Sequence, residues 1–180
     1  LGCFEKDEGG TLFLDEITEM EAKVQAKVLR GLEERQVRRI GATASIPVVV
    51  RIVAATNRLP ASAVKEGKLS QDLFYRLNVF HLALPPLRER ADDIPLLARY
   101  FLESFGEKYQ RPIMPWASDF LVALLAHSWP GNVRELRDGM ERLALLAPGP
   151  NLTAADVQQC RVDAMLEDNS DSDHQIVLQF

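Results

Sequence analysis

Asp15 and Glu16 stand side by side after Gly9-Gly10-Thr11-Leu12-Phe13-Leu14. Thr11 to Leu14 are β-prone and almost wholly apolar, which predicts a short strand buried on both faces, as in a parallel sheet. Open α/β sheets bind ligands outside the carboxyl ends of their strands, so the two acids stand where a ligand would sit. The chemistry that suits them is metal-assisted phosphoryl transfer. Asp15 would hold Mg2+, directly or through water, and Glu16 would orient and polarise an attacking water. The competing reading is a strand followed by an acidic helix N-cap, a position both residue types also favour. A second apolar run, Val48 to Ala55, ends in Thr56-Asn57. A carboxamide there can donate to a phosphate oxygen and accept from water at once. The alternative is that Thr56-Asn57 opens a turn before Leu59-Pro60.

Two arginines need a partner for their charge. Arg76 lies in a short amphipathic segment with Leu73, Phe74, Tyr75 and Leu77. Asp72, four residues earlier, offers Arg76 an ordinary surface ion pair. Arg134 falls in the first turn of a helix whose apolar residues are Val133, Leu136, Met140 and Leu143. A cation there opposes the helix dipole and wants an anion, from a ligand or from a carboxylate such as Glu135 or Asp138.

The elements that must position these groups follow from periodicity. Glu21 to Arg35 predicts a surface helix, with Val28, Leu29, Leu32 and Gln25 on one stripe. Gly31 inside it costs about 1 kcal/mol relative to Ala. Gln36–Ile40 and Ile46–Val50 predict a hairpin around the small-residue loop Gly41–Ser45. Pro60 to Glu66 predicts a short helix stopping at Gly67. Val79 to Leu84 predicts a third strand, with His81 an ordinary strand residue. Pro85-Pro86 breaks the chain. From Asp92 the pattern is helical, with Ile94, Leu97, Tyr100, Phe101 and Phe105 on a wide apolar face ended by Gln110-Arg111-Pro112. Ser118 reads as the N-cap of the next helix, Trp129 to Asn132 as a turn, and Leu152 to Val157 as a last helical turn capped by Thr153.

The chain has 180 residues, 47% hydrophobic and 26% charged, an ordinary globular composition with room for one real core or two small ones. No apolar run approaches the ~18 residues of a membrane helix. Cys3 and Cys160 show no metal-type spacing, so a reduced, cytoplasmic protein is the default expectation. A net charge of −5 does not indicate a general nucleic-acid surface. No Gly-x-x-x-x-Gly-Lys-Ser/Thr phosphate loop occurs in the sequence, so we expect no useful ATP hydrolysis by this polypeptide alone.

Five motifs in order carry a family resemblance: Gly-Gly-Thr-Leu-Phe-Leu-Asp-Glu (9–16), Val-Arg-Ile-Val-Ala-Ala-Thr-Asn (50–57), Asp-Leu-Phe-Tyr-Arg-Leu-Asn (72–78), Leu-Pro-Pro-Leu-Arg-Glu-Arg (84–90) and Trp-Pro-Gly-Asn-Val-Arg-Glu-Leu (129–136). Together they resemble the AAA+ ATPase domain of sigma-54-dependent transcription activators, from Gly2 to about Val157. The resemblance implies an α/β fold. The C-terminal part of a P-loop-type parallel-sheet subdomain (1–86) would be followed by a helical lid (87–162) and an acidic linker or tail (163–180). It makes 9–16 the Walker B segment, with Asp15 the Mg2+ ligand and Glu16 the water activator. Thr56 and Asn57 become sensor I, feeling the γ-phosphate or the attacking water, and Arg134 becomes sensor II, reaching the nucleotide in cis. Arg76 becomes an arginine finger acting in trans on a neighbouring subunit's nucleotide. Where the family usually carries a second arginine, six residues before Arg76, this chain has Ser70. Arg39 and Gly41 would belong to a nucleotide-responsive relay, with an ordinary hairpin the alternative. The implied cofactors are ATP and Mg2+. The implied partners are the sigma-54 factor and RNA polymerase, other copies in a homo-oligomeric ring, and DNA through a separate domain; no membrane is implied. Two alternatives keep the fold: a catalytically inactive assembly module, and a remodeller of a target outside transcription.

Overall fold

The computed structural model describes residues 3–7, 9–39, 41–112, 115–146, 151–160 and 175–178. They fall into two compact units, residues 1–84 with 172–180, and residues 85–171.

The first unit begins with a short helix α1 (Cys3–Lys6), followed by strand β1 (Thr11–Leu14) and a 3-10 turn (Ile17–Glu19). Helix α2 (Ala22–Glu34) comes next, then the hairpin strands β2 (Gln36–Arg38) and β3 (Ser45–Pro47). Strand β4 (Arg51–Thr56), helices α3 (Pro60–Lys65) and α4 (Gln71–Leu77) and strand β5 (Phe80–Ala83) complete it, together with a late strand β6 (Gln175–Leu178). β1 and β4 pair in parallel, with Thr11 opposite Arg51 and Leu14 opposite Ala54. β6 lies antiparallel between β4 and β5, so β4 and β5 run the same way without touching and the sheet is mixed at that edge. The expected acidic linker lies mostly outside the described residues, but Gln175–Leu178 forms a strand that its neighbours' composition did not announce.

Alternation sets the core. Leu12, Ile52, Ala54 and Thr56 point to the face covered by Val28 of α2, Ala63 of α3, and Leu73 and Leu77 of α4. Val48 to Val50 are not strand, contrary to expectation. Pro47 ends β3, and the crossing segment pairs with loops: Val48 N–H donates to Arg35 O at 2.9 Å, and Val49 O accepts from Gly9 N–H at 2.7 Å.

The second unit is helical: α5 (Asp93–Tyr109), α6 (Ser118–Ala126), α7 (Asn132–Leu146) and α8 (Ala154–Cys160). Phe120, Leu124, Trp129, Leu136, Met140 and Leu152 are fully buried at its centre. Lys108 and Tyr109 of α5 both bond the Glu141 carboxylate of α7. Ser118 is the first helical residue and not the cap. Ala117 takes the extended cap position because its N–H is already committed to Leu152 O at 2.9 Å. Thr153 does precede α8, and its N–H and hydroxyl both bond Asp156.

Candidate functional site

The ends of β1 and β4 lie side by side because the parallel register carries Leu14 next to Ala54. Gly9 and Gly10 make the entry possible. Gly9 adopts φ +73°, open to glycine but costly for most residues. A Cβ on Gly10 would stand 3.1 Å from Asp7 O. Past the strand, Asp15 is exposed, and among the described residues its Oδ1 accepts the adjacent Glu16 N–H alone, at 3.1 Å. Glu16 adopts a left-handed conformation (φ 49°, ψ 52°), which non-glycine residues seldom hold without restraint. Its Oε2 accepts the backbone N–H of Asn57 at 3.2 Å. The Asn57 Oδ1 is buried and has no hydrogen-bond partner among the described residues.

Thr56 is buried, and its hydroxyl lies 3.0 Å from the hydroxyl of buried Thr18. It also accepts the N–H of Arg58 at 3.1 Å. It therefore faces the protein and not solvent, unlike the ligand contact expected of it. Arg58 reaches back to Glu19 at 3.1 Å and toward Glu66 at 3.9 Å. Thr18, Glu19 and Arg58 carry no local signal that distinguishes them from ordinary turn residues.

Arg76 does not join this cluster. It is exposed on α4, and its Nη2 donates to Leu32 O of α2 at 3.1 Å, with no pair to Asp72 among the described contacts. It lines a groove shared with Arg35, Arg51 and Val48 to Ile52. Ser70 has a definite job: its hydroxyl caps α4 by accepting from Leu73 N–H at 3.3 Å. Gln25, buried on α2, holds the same region. It donates to Met20 O (2.9 Å) and Lys68 O (2.8 Å) and accepts from Ser70 N–H (2.9 Å).

In the second unit the turn before α7 is tightly determined. The Trp129 indole donates to Leu124 O at 2.9 Å, and Trp129 N–H donates to His127 Nδ1 at 3.0 Å. Glu135 accepts Gly131 N–H at 2.8 Å, and a Cβ on Gly131 would lie 2.7 Å from the Glu135 Cβ. Asn132 accepts Leu87 N–H at 2.7 Å. Most polar residues of 129–136 thus have local work. Arg134 is exposed and makes no ion pair among the described residues; neither Glu135 nor Asp138 holds it.

Arg39, at the hairpin, forms a bidentate pair with Glu5 of α1 (2.9–3.1 Å). The Arg39 hydrogen bond holds the Glu5 carboxyl below its ordinary range, and Glu5 in turn raises the Arg39 guanidinium. Among the described residues no helix is long and apolar enough to cross a membrane.

Two family models match the chain. The Sigma-54 interaction domain matches residues 1–83, and the AAA+ ATPase lid domain matches residues 88–174. Regulatory protein AtoC of Escherichia coli K12 is 50% identical over 156 residues, which are 87% of this chain and 34% of AtoC. The Nif-specific regulatory protein of Azotobacter vinelandii is 47% identical over 163 residues, 90% of this chain and 31% of that protein. The chain thus spans about a third of the length of these relatives. Crystal structures of Brucella abortus NtrX in complex with ATP and with ADP are each 35% identical, with a TM-score of 0.83 for both. They cover 96% and 94% of this chain, and the chain covers 40% and 39% of them. With one model matching residues 1–83 and the other residues 88–174, the chain pairs a Sigma-54 interaction domain with an AAA+ ATPase lid domain, as its sigma-54-dependent relatives do over the matched stretch.

Proposed function

We propose that this chain supplies the water-activating, sensing and lid elements of an ATP-hydrolysing AAA+ module, which remodels the sigma-54 RNA polymerase complex as a homo-oligomeric ring in the cytoplasm. The observation that carries the reading is the junction of Glu16 with Asn57 across β1 and β4, beside a buried Asn57 oxygen that has no partner among the described residues. A buried acceptor left open at a strand's carboxyl end suits a donor that arrives with a ligand.

The chain's own groups divide the work. Glu16 anchors one carboxylate oxygen on the Asn57 amide, which leaves Oε1 to accept a proton from water. The Asn57 carboxamide can accept from that water and donate to a phosphate oxygen. Exposed Asp15 would hold Mg2+, whose ordinary set is one or two carboxylates with phosphate oxygens and water. When bound, the ion would supply positive charge to offset that of the phosphate oxygens. Arg76, tethered to α2 by one carbonyl, would act on a neighbouring copy's nucleotide, and Arg134 would reach the nucleotide of its own copy. The Glu5–Arg39 pair supports a relay through the hairpin, since it ties residues preceding β1 to the loop preceding β3. We assign residues 1–86 to the α/β subdomain, whose sheet Gln175–Leu178 joins as a strand, and 87–162 to the lid, with the rest of 163–180 an acidic linker or tail.

The test joins this chain to a phosphate-loop segment and follows Mg-ATP turnover against protein concentration. Turnover should rise as copies assemble. Glu16→Gln should bind ATP without turnover. Arg76→Ala should also be slow, yet a mixture of the two variants should regain activity, because each supplies what the other lacks. No recovery on mixing would remove the trans role of Arg76. No turnover at any concentration would favour an inactive assembly module.

A further inference from the structure

We infer that Thr18 and Arg58 are positioning residues: with Thr56 and Glu19 they clamp the turn after β1 to the turn after β4 and so fix Glu16 against Asn57. The inference rests on reading Glu16 and Asn57 as the pair that handles water.

Three cross-links join residues 16–19 to residues 56–58. Glu16 Oε2 accepts Asn57 N–H at 3.2 Å, the Thr18 and Thr56 hydroxyls meet at 3.0 Å, and Arg58 Nε donates to Glu19 Oε1 at 3.1 Å. Each residue of the second turn bonds a different residue of the first. The hydroxyl link is the innermost, with Thr18 4% and Thr56 3% exposed, so water cannot replace it. Thr56 also accepts Arg58 N–H at 3.1 Å, so the same hydroxyl shapes its own turn and grips the opposite one. Arg58 closes the outer side, with Glu66 at the end of α3 as a second anchor at 3.9 Å.

The clamp has something to hold. Glu16 sits at φ 49°, a conformation a non-glycine residue keeps only when its surroundings impose it. Its one described link to Asn57 is half-buried and would open readily alone. Fixing Thr18 and Glu19 from the opposite turn restrains the backbone that follows Glu16. Thr56 is thereby reassigned from ligand contact to clamp.

The experiment has two arms. In the chain itself, amide exchange followed by NMR reads the Asn57 N–H, with Ile52 of β4 as the folding control. Thr18→Val keeps the shape and removes the hydroxyl, and should speed Asn57 exchange about tenfold while Ile52 is unmoved. Thr18→Ser should restore protection. Arg58→Met, which breaks a more exposed link, should give about a twofold effect. In the protein joined to a phosphate loop, Thr18→Val should lower kcat about tenfold with KM for ATP unchanged, and Thr18→Ser should recover it. Unchanged Asn57 exchange in Thr18→Val overturns the clamp, as does equal loss of protection at Ile52 in both Thr18 variants. Faster exchange with unchanged kcat overturns the positioning role. Absence of turnover in every variant would count against the ATPase reading instead, and the exchange arm would still decide the clamp.

Discussion

Replacing Gln25 with Leu should destabilise the first unit by about 2–4 kcal/mol, a large share of the ~5–15 kcal/mol that holds a domain together. Gln25 is 3% exposed and makes three hydrogen bonds, to Met20 O, Lys68 O and Ser70 N–H. Leucine fills nearly the same volume, so the cavity contribution is small and the loss lies in stranded backbone groups. Lys68 is exposed, and water can recover its carbonyl. The Met20 carbonyl and the Ser70 amide belong to half-buried residues, and each costs about 1–2 kcal/mol when left unpaired. Gln25→Glu should be worse at neutral pH. It sets a carboxylate oxygen where Nε2 now donates to two carbonyl oxygens at 2.8 and 2.9 Å. The sign follows: that carboxyl is raised in the folded state above its unfolded value near ~4.3, so its deficit is smallest below that value and grows as pH rises. Urea unfolding followed by far-UV circular dichroism, at neutral and acid pH, measures both effects. Trp116 and Trp129 both lie in the second unit, so tryptophan fluorescence serves as an internal control. A Gln25→Leu chain within about 0.5 kcal/mol of the parent would refute the reasoning, as would Gln25→Glu proving the more stable variant at neutral pH.

Other substitutions test other parts of the fold. Gly31→Ala should stabilise α2 by up to about 1 kcal/mol, since a Cβ there meets the Phe4 ring at 3.5 and 3.6 Å and Val37 at 3.7 Å, all ordinary contacts; thermal melting checks it. Gly131→Ala should cost about 1–3 kcal/mol, because its Cβ would fall 2.7 Å from the Glu135 Cβ; tryptophan fluorescence of the second unit in urea reads it directly. Ser70→Arg should cost about 1 kcal/mol through the lost cap on α4, measured as a lower urea midpoint. The Glu5–Arg39 pair contributes above the ordinary carboxyl range, because the folded Glu5 carboxyl is lowered, and its contribution is lost as pH falls through that lower value. Amide protection of β2 and β3 should therefore fall on acidification in the parent and change less in Arg39→Gln.

Much of the scaffold was legible in the residues. Thr11–Leu14 forms the expected strand, though with one face buried and not both (Leu12 is 8% exposed, Phe13 54%), and α2 lies within one residue of the expected helix at each end, because both depend on patterns a few residues long. Glycine at 9 and 10 before an apolar run, and two acids after it, were visible in the same way. The misses came where a distant partner altered a local preference. Ser118 is a good N-cap by type, but the backbone pairing of Ala117 with Leu152 moved the helix boundary one residue. Val48 to Val50 are ideal strand residues, yet they cross between a hairpin and a sheet and bond to loops.

The sequence by itself determined which chemistry was present: acids after one strand, a threonine and an asparagine after another, and arginines on two helices. Only the tertiary structure decided which of them meet. Glu16 touches Asn57, and Thr18 touches Thr56, across 41 and 38 residues of chain, because β1 and β4 pair in one parallel register. A one-residue slip in that register would turn every side chain of the strand to the opposite face. Propensity reads windows of a few residues and is blind to register, which is set by the burial of Leu12, Ile52 and Ala54 against α2, α3 and α4.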